Sequence, residues 1–147
     1  MNTFASRIEV RWSDLDPNFH VRHSAYYDYD ASSRVEFLHR HGITAKFMQG
    51  HFFGPMLFRE ECVFRKEIRF SDIVTVDLKL RKARKDYSRW TILHHISIND
   101  NILAAVVTVD GAWLDLNKRK LTEPPAEVGA AFEVMPKDEH FDWAVQT

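Results

Sequence analysis

The segment DLDPNFHVRH, residues 14–23, concentrates side chains that can do chemistry. It holds two carboxylates, Asp14 and Asp16, and two imidazoles, His20 and His23, within ten positions. A carboxylate or an imidazole can attack a carbonyl carbon or activate a water molecule. The segment runs directly into a helical pattern, and the first turn of a helix offers free N–H groups to a developing oxyanion. Both parts needed for acyl transfer therefore fall within about ten residues.

The elements around this segment must position it. Ser24 is a suitable N-cap for a helix that runs to about His41, with Gly42 as its stop. Apolar residues recur at spacings of three and four along it, which predicts one face packed on an apolar surface: Tyr27, Ala31, Val35 and Leu38.

The rest of the chain reads mainly as strands. Residues 5–12 predict a first strand, and 43–54 a connection. Alternating patterns then predict strands near 61–70, 74–81 and 90–98, and an apolar run at 102–113 predicts a central strand. Short turns between consecutive strands favour antiparallel pairing. We expect an α+β domain with one long helix across the concave face of a curved five-stranded antiparallel sheet, in residues 1–136. Residues 126–135 read as a short helix, and 137–147 as a C-terminal tail or partner contact.

Bulk composition narrows the class of protein. A length of 147 residues suits a single domain, and a net charge of -1 argues against a nucleic-acid binder. Cys62 is the only cysteine, which suits a reducing compartment. The N-terminal residues lack an apolar signal region, and no apolar run approaches membrane-spanning length. We therefore expect a cytoplasmic protein without a membrane partner.

The segment DLDPNFHVRHSAYYDYDASSRVEFL resembles the start of hotdog-fold thioesterases, of the 4-hydroxybenzoyl-CoA thioesterase-like and acyl-CoA thioesterase group. The similarity consists of Asp16-Pro17 in a loop after the first strand, the tyrosines at 26–29, and Ala-Ser-x-Arg at 31–34. The similarity extends over roughly residues 7–125, but in the later strands only the pattern of apolar and polar residues matches. The resemblance implies a hotdog fold and a thioester hydrolase acting on acyl-CoA or acyl carrier protein.

The resemblance also implies roles for individual residues. Asp16 corresponds to the catalytic carboxylate, and backbone N–H groups near Arg22 and His23 to those that polarise the thioester carbonyl. The acyl group is expected near Tyr26 and Tyr27. A basic stretch, here Arg81, Lys82, Arg84 and Lys85, is expected to contact the CoA nucleotide, with Arg81, Arg84 and Lys85 as the candidates. The alternative is a solvated, charged end of a hairpin. Active sites are expected at the interface of a homodimer or homotetramer, with coenzyme A as part of the substrate and no separate cofactor.

The loop departs from the common family pattern at Phe19, which stands where many members have glycine. The string Asp16-x-Asn18-x-His20 instead looks like the D-x-N-x-H pattern of plant acyl-ACP thioesterases, which makes Asn18 and His20 further catalytic candidates. The alternative for His20 is a ring packed in the structure. For Asp16 the alternative is a capping role in a turn.

Several other polar residues invite structural interpretations. Asp14 is expected to cap the turn or remain in solvent, and Arg34 to pair with a carboxylate or shape the interface. Glu60 and Glu61 are weak site candidates. No metal site is expected, because the histidine pairs lack a partner set for zinc.

Two other functions fit the same residues. A hotdog hydratase or dehydratase also uses an Asp/His pair in such a loop, although the spacing here is one residue short. A non-catalytic hotdog dimer that binds acyl thioesters is the third reading, supported by Phe19 if its ring blocks the pocket.

Overall fold

The computed structural model describes residues 3–144. In that part of the chain a curved sheet of eight strands packs against one long helix, with two shorter helices and a 3-10 turn at Trp12–Asp14. In chain order the elements are β1 Ala5–Ile8, α1 Ala25–Arg40, α2 Ala45–Gly50, β2 Phe53–Phe64, β3 Val74–Asp77, β4 Lys79–Ala83, β5 Arg89–Ile98, β6 Ile102–Asp115, β7 Lys120–Leu121, α3 Ala126–Val134 and β8 Lys137–Trp143.

The sheet is organised around β6, which pairs with β2 on one side and β5 on the other. On its other side β5 pairs with both β3 and β4. These two strands follow each other in one line along the same edge of β5 and are separated only by Leu78. β1 and β8 extend this line outward, on β3 and β4 respectively. All pairings are antiparallel except that of β4 with β8. The predicted α+β hotdog fold is confirmed, with a central β6 as expected.

The expected C-terminal tail is different in the structure, because Lys137–Trp143 form β8 along β4. Hydrogen bonds from Leu80 N–H to the Pro136 carbonyl and from Ala144 N–H to the Ala83 carbonyl, both 2.7 Å, tie it down. The sequence of this strand is mostly polar, as suits an edge strand with one solvent face, so it lacks a clear alternating pattern. Residues 145–147 lie outside the described part.

Helix α1 lies where the sequence predicts it, but its buried face differs from the predicted one. Tyr26, Tyr29, Ser33 and Phe37 are buried, whereas Val35 is 51% exposed. Polar side chains are accommodated in this face, since the Ser33 hydroxyl donates to main-chain carbonyls of β3. Apolar periodicity does not count buried polar residues such as Ser33 as part of the core face. The buried face predicted from apolar spacing is therefore rotated by about one residue from the observed one.

Strand β2 is longer and more exposed than its pattern suggests. It spans part of the expected 43–54 connection, which also contains α2, and it ends at Phe64 rather than near residue 70. One edge pairs with β6, and in residues 3–144 the other edge has no strand beside it. Five exposed apolar side chains line this free edge on both sides of the strand, with Leu57 and Phe64 on the side of α1 and Met56 and Val63 on the other side. Together with Val35 of α1 they form the edge surface that we call the β2 face: Met56, Leu57, Phe58, Val63 and Phe64.

Among residues 3–144, no helix has the length and apolar composition needed to cross a membrane.

Candidate active site

The acid loop is a tight turn closed by its own backbone. The Asp16 N–H donates to the His20 carbonyl at 2.7 Å, and the Phe19 N–H donates to the Asp16 carbonyl at 2.9 Å. Asp16 Oδ1 accepts from the N–H groups of Asn18 at 2.9 Å and His20 at 3.2 Å. The turn-capping role is therefore real. Within the described residues the second carboxylate oxygen, Oδ2, makes no hydrogen bond, so one oxygen of Asp16 is available for chemistry.

Phe19 adopts a backbone conformation that glycine reaches more easily than other residues. Its φ is +65°, in the left-handed region that side chains with a Cβ disfavour. The ring is 66% exposed and lies 6.3 Å from the Trp12 ring, centroid to centroid. Phe19 does not border the cavity next to Asp16. The Phe19 ring therefore does not block this cavity, and the non-catalytic interpretation loses its support.

An open cavity of about 400 Å³ borders the loop and the start of α1. Its walls include both histidines and the catalytic candidate: Asp16, His20, Val21, His23, Tyr26, Phe64, Arg65, Lys66 and Glu67. Tyr26 is buried and packs edge-to-face on Phe64 with ring centroids 4.9 Å apart. Burial raises the pKa of the Tyr26 phenol to about 12, so it stays neutral at physiological pH.

The two histidines contribute differently to this cavity. His20 Nε2 lies 2.9 Å from Glu67 Oε2, while the His20 main chain bonds to Asp16. Asp16 and His20 are thus joined through the backbone rather than through a side-chain dyad. His23 immediately precedes the first residues of α1, and its N–H has no acceptor in the described residues. Sequence reasoning missed Glu67, whose only signal is its position on the chain after β2.

Asn18 and Tyr27 lie outside the cavity wall. Asn18 is exposed and reaches Asp16 through its N–H. The Tyr27 hydroxyl donates to the Glu60 carbonyl at 3.5 Å, a long hydrogen bond. Of the two predicted tyrosines, only Tyr26 faces Asp16.

Asp14 is structural, as predicted, but buried rather than in solvent. Its carboxylate accepts from the Arg11 N–H and the Arg11 guanidinium, both at 3.0 Å, and from the Tyr29 hydroxyl at 2.9 Å. Burial alone would raise the pKa of Asp14, but these hydrogen bonds outweigh it and the pKa is lowered. Asp14 also ties the loop to α1, because its carbonyl accepts from the Arg22 N–H.

The predicted CoA-binding residues lie at the other end of the sheet. Arg84 and Lys85 occupy the turn between β4 and β5, whereas Asp16 lies beside the connection at 65–73, near the opposite end of β5. The ten residues of β5 separate these ends by roughly 30 Å. Arg81 is engaged by β8: its guanidinium donates to the His140 carbonyl and pairs with Asp138 at 3.7 Å. The sequence does not predict these contacts of Arg81, because the pattern of residues 137–147 predicts a tail rather than a strand.

A second cavity, of about 300 Å³, includes Arg84 together with Lys82 and Arg89. The Arg89 guanidinium lies over the Phe58 ring, 4.6 Å from its centroid. Arg89 was not among the predicted residues, although it directly follows the basic turn. Asp110 also lies in its wall, so three basic side chains and one carboxylate give the cavity a net positive charge suited to phosphate groups.

Helix α1 also carries a buried polar group. Arg34 lies 3.3 Å from Asp30 Oδ1, 3.7 Å from Glu60 Oε2 and 3.2 Å from His94 Nε2. His94 donates from Nδ1 to the Asp77 carbonyl at 2.7 Å, which leaves Nε2 to accept from Arg34. Burial, together with the Arg34 charge, lowers the pKa of His94 to about 3, so the ring is neutral.

Asp30 is the unusual member of this group. It is fully buried, and burial raises its pKa to about 8, helped by the nearby Glu60 charge and opposed by Arg34. The pairing of Arg34 with a carboxylate, as predicted, is confirmed.

Glu61, unlike Glu60, lies outside this buried group: it is exposed and pairs with Arg59. Within residues 3–144, no group of three acidic, histidine or cysteine side chains is placed to hold a metal ion.

The curved sheet around α1 and the acid loop at the helix start define a hotdog-fold protein of the thioesterase type. The chain belongs to the thioesterase-like superfamily, whose family model matches residues 10–132. Comparison with curated proteins gives no sequence match.

Solved structures share the fold at low sequence identity. A hypothetical protein from Staphylococcus aureus, determined in complex with CoA, has 18% identity and a TM-score of 0.82, with 92% of this chain and 87% of that chain covered. A 1,4-dihydroxy-2-naphthoyl-CoA thioesterase from Synechocystis has 18% identity and a TM-score of 0.80, with 88% and 95% covered. A hypothetical protein from Thermus thermophilus has 21% identity and a TM-score of 0.80, with 90% and 98% covered.

Proposed function

We propose that this protein hydrolyses an acyl-CoA thioester and that Asp16 is its catalytic carboxylate. The observation that carries the proposal is the placement of Asp16. One carboxylate oxygen is fixed by loop N–H groups, and the other is without a hydrogen bond in the described residues. It lies on the wall of an open cavity at the start of α1.

This geometry supplies the parts that hydrolysis needs. Asp16 either attacks the thioester carbonyl carbon or removes a proton from the attacking water. The N–H group of His23 is available to the oxyanion that forms, aided by the positive end of the α1 dipole. If Asp16 is the nucleophile, water afterwards hydrolyses the acyl-aspartyl anhydride, which releases the free acid and restores the carboxylate; if Asp16 is the base, the free acid forms directly. In both cases the carbon–sulfur bond breaks, and the sulfur takes up a proton and leaves as the thiol. His20, held by Glu67 on the same wall, is placed to donate that proton, and Asn18 supports Asp16 through its backbone.

Coenzyme A is the carrier that the comparisons favour. One structural neighbour was solved with CoA, and another is named for a CoA thioester. No separate cofactor is needed, since water is the second substrate. An acyl carrier protein is the other carrier to include in the assay.

We propose a homodimer formed through the β2 face. Five apolar side chains of β2 are at least 39% exposed beside an unpaired strand edge, a combination that favours pairing with a second copy. An antiparallel pairing of two β2 strands brings the Phe53 end of one copy beside the Phe64 end of the other. The basic cavity with Arg84 and Arg89 then comes closer to the second copy's Asp16, where CoA phosphates need it.

The test is thiol release from a panel of acyl-CoA and acyl carrier protein thioesters. We expect Asp16→Asn to lower kcat/KM by about a thousandfold with an unchanged melting temperature, because the amide neither attacks nor accepts a proton. Asp28→Asn, an exposed carboxylate on α1, is the matched control and should keep wild-type kinetics. A kcat/KM within tenfold of wild type in Asp16→Asn would contradict the assignment.

A further inference from the structure

A separate cavity of about 230 Å³ lies between the second half of α1, the sheet and α3. Its walls are almost entirely apolar: Ala31, Arg34, Val35, Phe37, Leu38, Pro55, Leu57, Leu78, Trp90, Ile92, Trp113, Phe132 and Met135. Trp113 and Phe132 are at most 1% exposed at its inner end, whereas Val35 and Leu57 are 51% and 43% exposed. The cavity therefore reaches the surface on the β2 face.

The polar groups that border this cavity are all hydrogen-bond donors. Arg34 is the single charged residue in its wall, and the carboxylate of Glu60 meets its charge. The other donors are the indole N–H groups of Trp90 and Trp113, which have no acceptor in the described residues. The one acceptor among the lining side chains is the weak thioether sulfur of Met135. A ligand hydroxyl that entered would lose its bond to water and find only this weak side-chain partner for its proton.

We infer that this cavity binds the acyl group of the substrate and selects an unsubstituted aliphatic chain of medium length. The inference rests on the proposed thioester hydrolysis and adds the substrate class. A cavity of about 150 Å³ holds a six-carbon ring, so 230 Å³ accommodates roughly nine carbon atoms by proportion. Hydroxylated aromatic acyl groups are disfavoured by the lack of a strong side-chain acceptor.

The position of the cavity implies that it serves the Asp16 of a second copy. Leu57 at its mouth and Phe64 beside Asp16 lie on one strand, seven residues or about 23 Å apart. An eight-carbon chain attached at Asp16 does not cover that distance within one copy. In the proposed antiparallel β2 pairing, the cavity of one copy comes beside Phe64 of the other.

The first experiment measures kcat/KM for straight-chain acyl-CoAs from four to sixteen carbons and for 4-hydroxybenzoyl-CoA. We expect kcat/KM to rise by up to about fourfold per methylene group, to peak near eight carbons and then to fall. 4-Hydroxybenzoyl-CoA should be at least tenfold poorer as a substrate than octanoyl-CoA.

Ala31→Leu places three more carbons in the cavity, so the chain length with the highest kcat/KM should be about three carbons shorter in this variant. Ser32→Leu makes a similar addition at an exposed neighbouring position on α1 and should keep the wild-type optimum.

The second experiment measures binding without catalysis. The chain has four tryptophans, and in the Trp12→Phe/Trp143→Phe variant only the two cavity tryptophans remain. We expect 8-bromooctanoic acid to quench their fluorescence, and Ala31→Leu to weaken that quenching at least tenfold. Quenching without thiol release from any thioester would support the acyl site and refute the proposed hydrolysis. Thiol release that does not depend on chain length, without quenching, would support hydrolysis and refute the acyl site.

Discussion

At the scale of single residues, Asp16 combines two roles that looked like alternatives. Its Oδ1 holds the loop by accepting two N–H groups, and its Oδ2 stays available beside the cavity. Holding one oxygen fixes the direction of the other, so the structural role prepares the catalytic one. His20 is positioned by Glu67 rather than by Asp16. This arrangement gives no support to the Asp/His side-chain pair that a hydratase would use.

Asp30 gives a prediction at the same scale. Its pKa is about 8 in the folded protein against an ordinary value of 3.8, chiefly because it is buried. A carboxyl group with a raised pKa binds its proton more tightly when folded, so its contribution to stability is lost as pH rises from about 4 to above 8. The free energy of unfolding of wild type, compared with Asp30→Asn, should therefore fall by at least about 1 kcal/mol between pH 5 and pH 9.

Urea unfolding of both proteins at several pH values checks this. The difference between them isolates Asp30, because the other titrating groups are common to both. Asp28→Asn removes an exposed carboxylate from the same helix and should leave the wild-type pH profile unchanged. Parallel profiles for wild type and Asp30→Asn would contradict the raised pKa.

At the scale of elements, β8 decides which basic residues remain free. Its main chain and Asp138 occupy the Arg81 guanidinium, while Arg84 and Arg89 border an open cavity. The basic stretch that looks uniform in the sequence is therefore divided between sheet packing and a surface available to phosphate.

Two arginine variants should separate these roles. We expect Arg81→Ala to reduce the free energy of unfolding by about 1 kcal/mol and to leave KM for acyl-CoA within twofold, because its partners lie in β8. Arg84→Ala should raise KM about tenfold with unchanged stability, and the effect should shrink at high salt. Thermal unfolding and steady-state kinetics give both quantities. An unchanged KM for Arg84→Ala would remove Arg84 from the proposed CoA site.

At the scale of the whole molecule, exposed apolar side chains of one copy lie along β2 between the two proposed sites. The β2 face includes Leu57 and Val35 at the mouth of the acyl cavity and Phe64 beside Asp16. A second copy on this face would cover the apolar side chains and join the two ends of the sheet. In this arrangement a complete active site takes parts from two copies.

Mixing two variants that hydrolyse octanoyl-CoA poorly tests that arrangement. Asp16→Asn has an open cavity without the carboxylate, and Ala31→Leu has the carboxylate with a filled cavity. After unfolding and refolding together at equal amounts, half of the dimers are mixed and each has one complete site, so octanoyl-CoA hydrolysis should recover to about a quarter of wild type. Each variant alone should give only a few per cent at low substrate concentration. If the mixture showed no more than the average of the two, each site would lie within one copy.

The sequence alone determined the local features of this protein. The period of two predicts β5, and the apolar run at 102–113 predicts β6. Apolar spacing and the stop at Gly42 predict the extent of α1, although Ser24 makes no capping hydrogen bond. Asp16-Pro17 before a tyrosine-rich helix indicates the family and its acid loop. These features depend on neighbours within a few positions along the chain, so one sequence contains the information for them.

Only the tertiary structure decided which residues meet across long separations. The buried face of α1, the strand β8, the pairing of His20 with Glu67 and the buried group around Arg34 all join distant segments. Their polar members lie beside partners that no local pattern reveals, and apolar periodicity counts each of them as a surface residue. The acyl cavity is the same kind of feature, because an unfilled space is a property of packed elements rather than of any one of them.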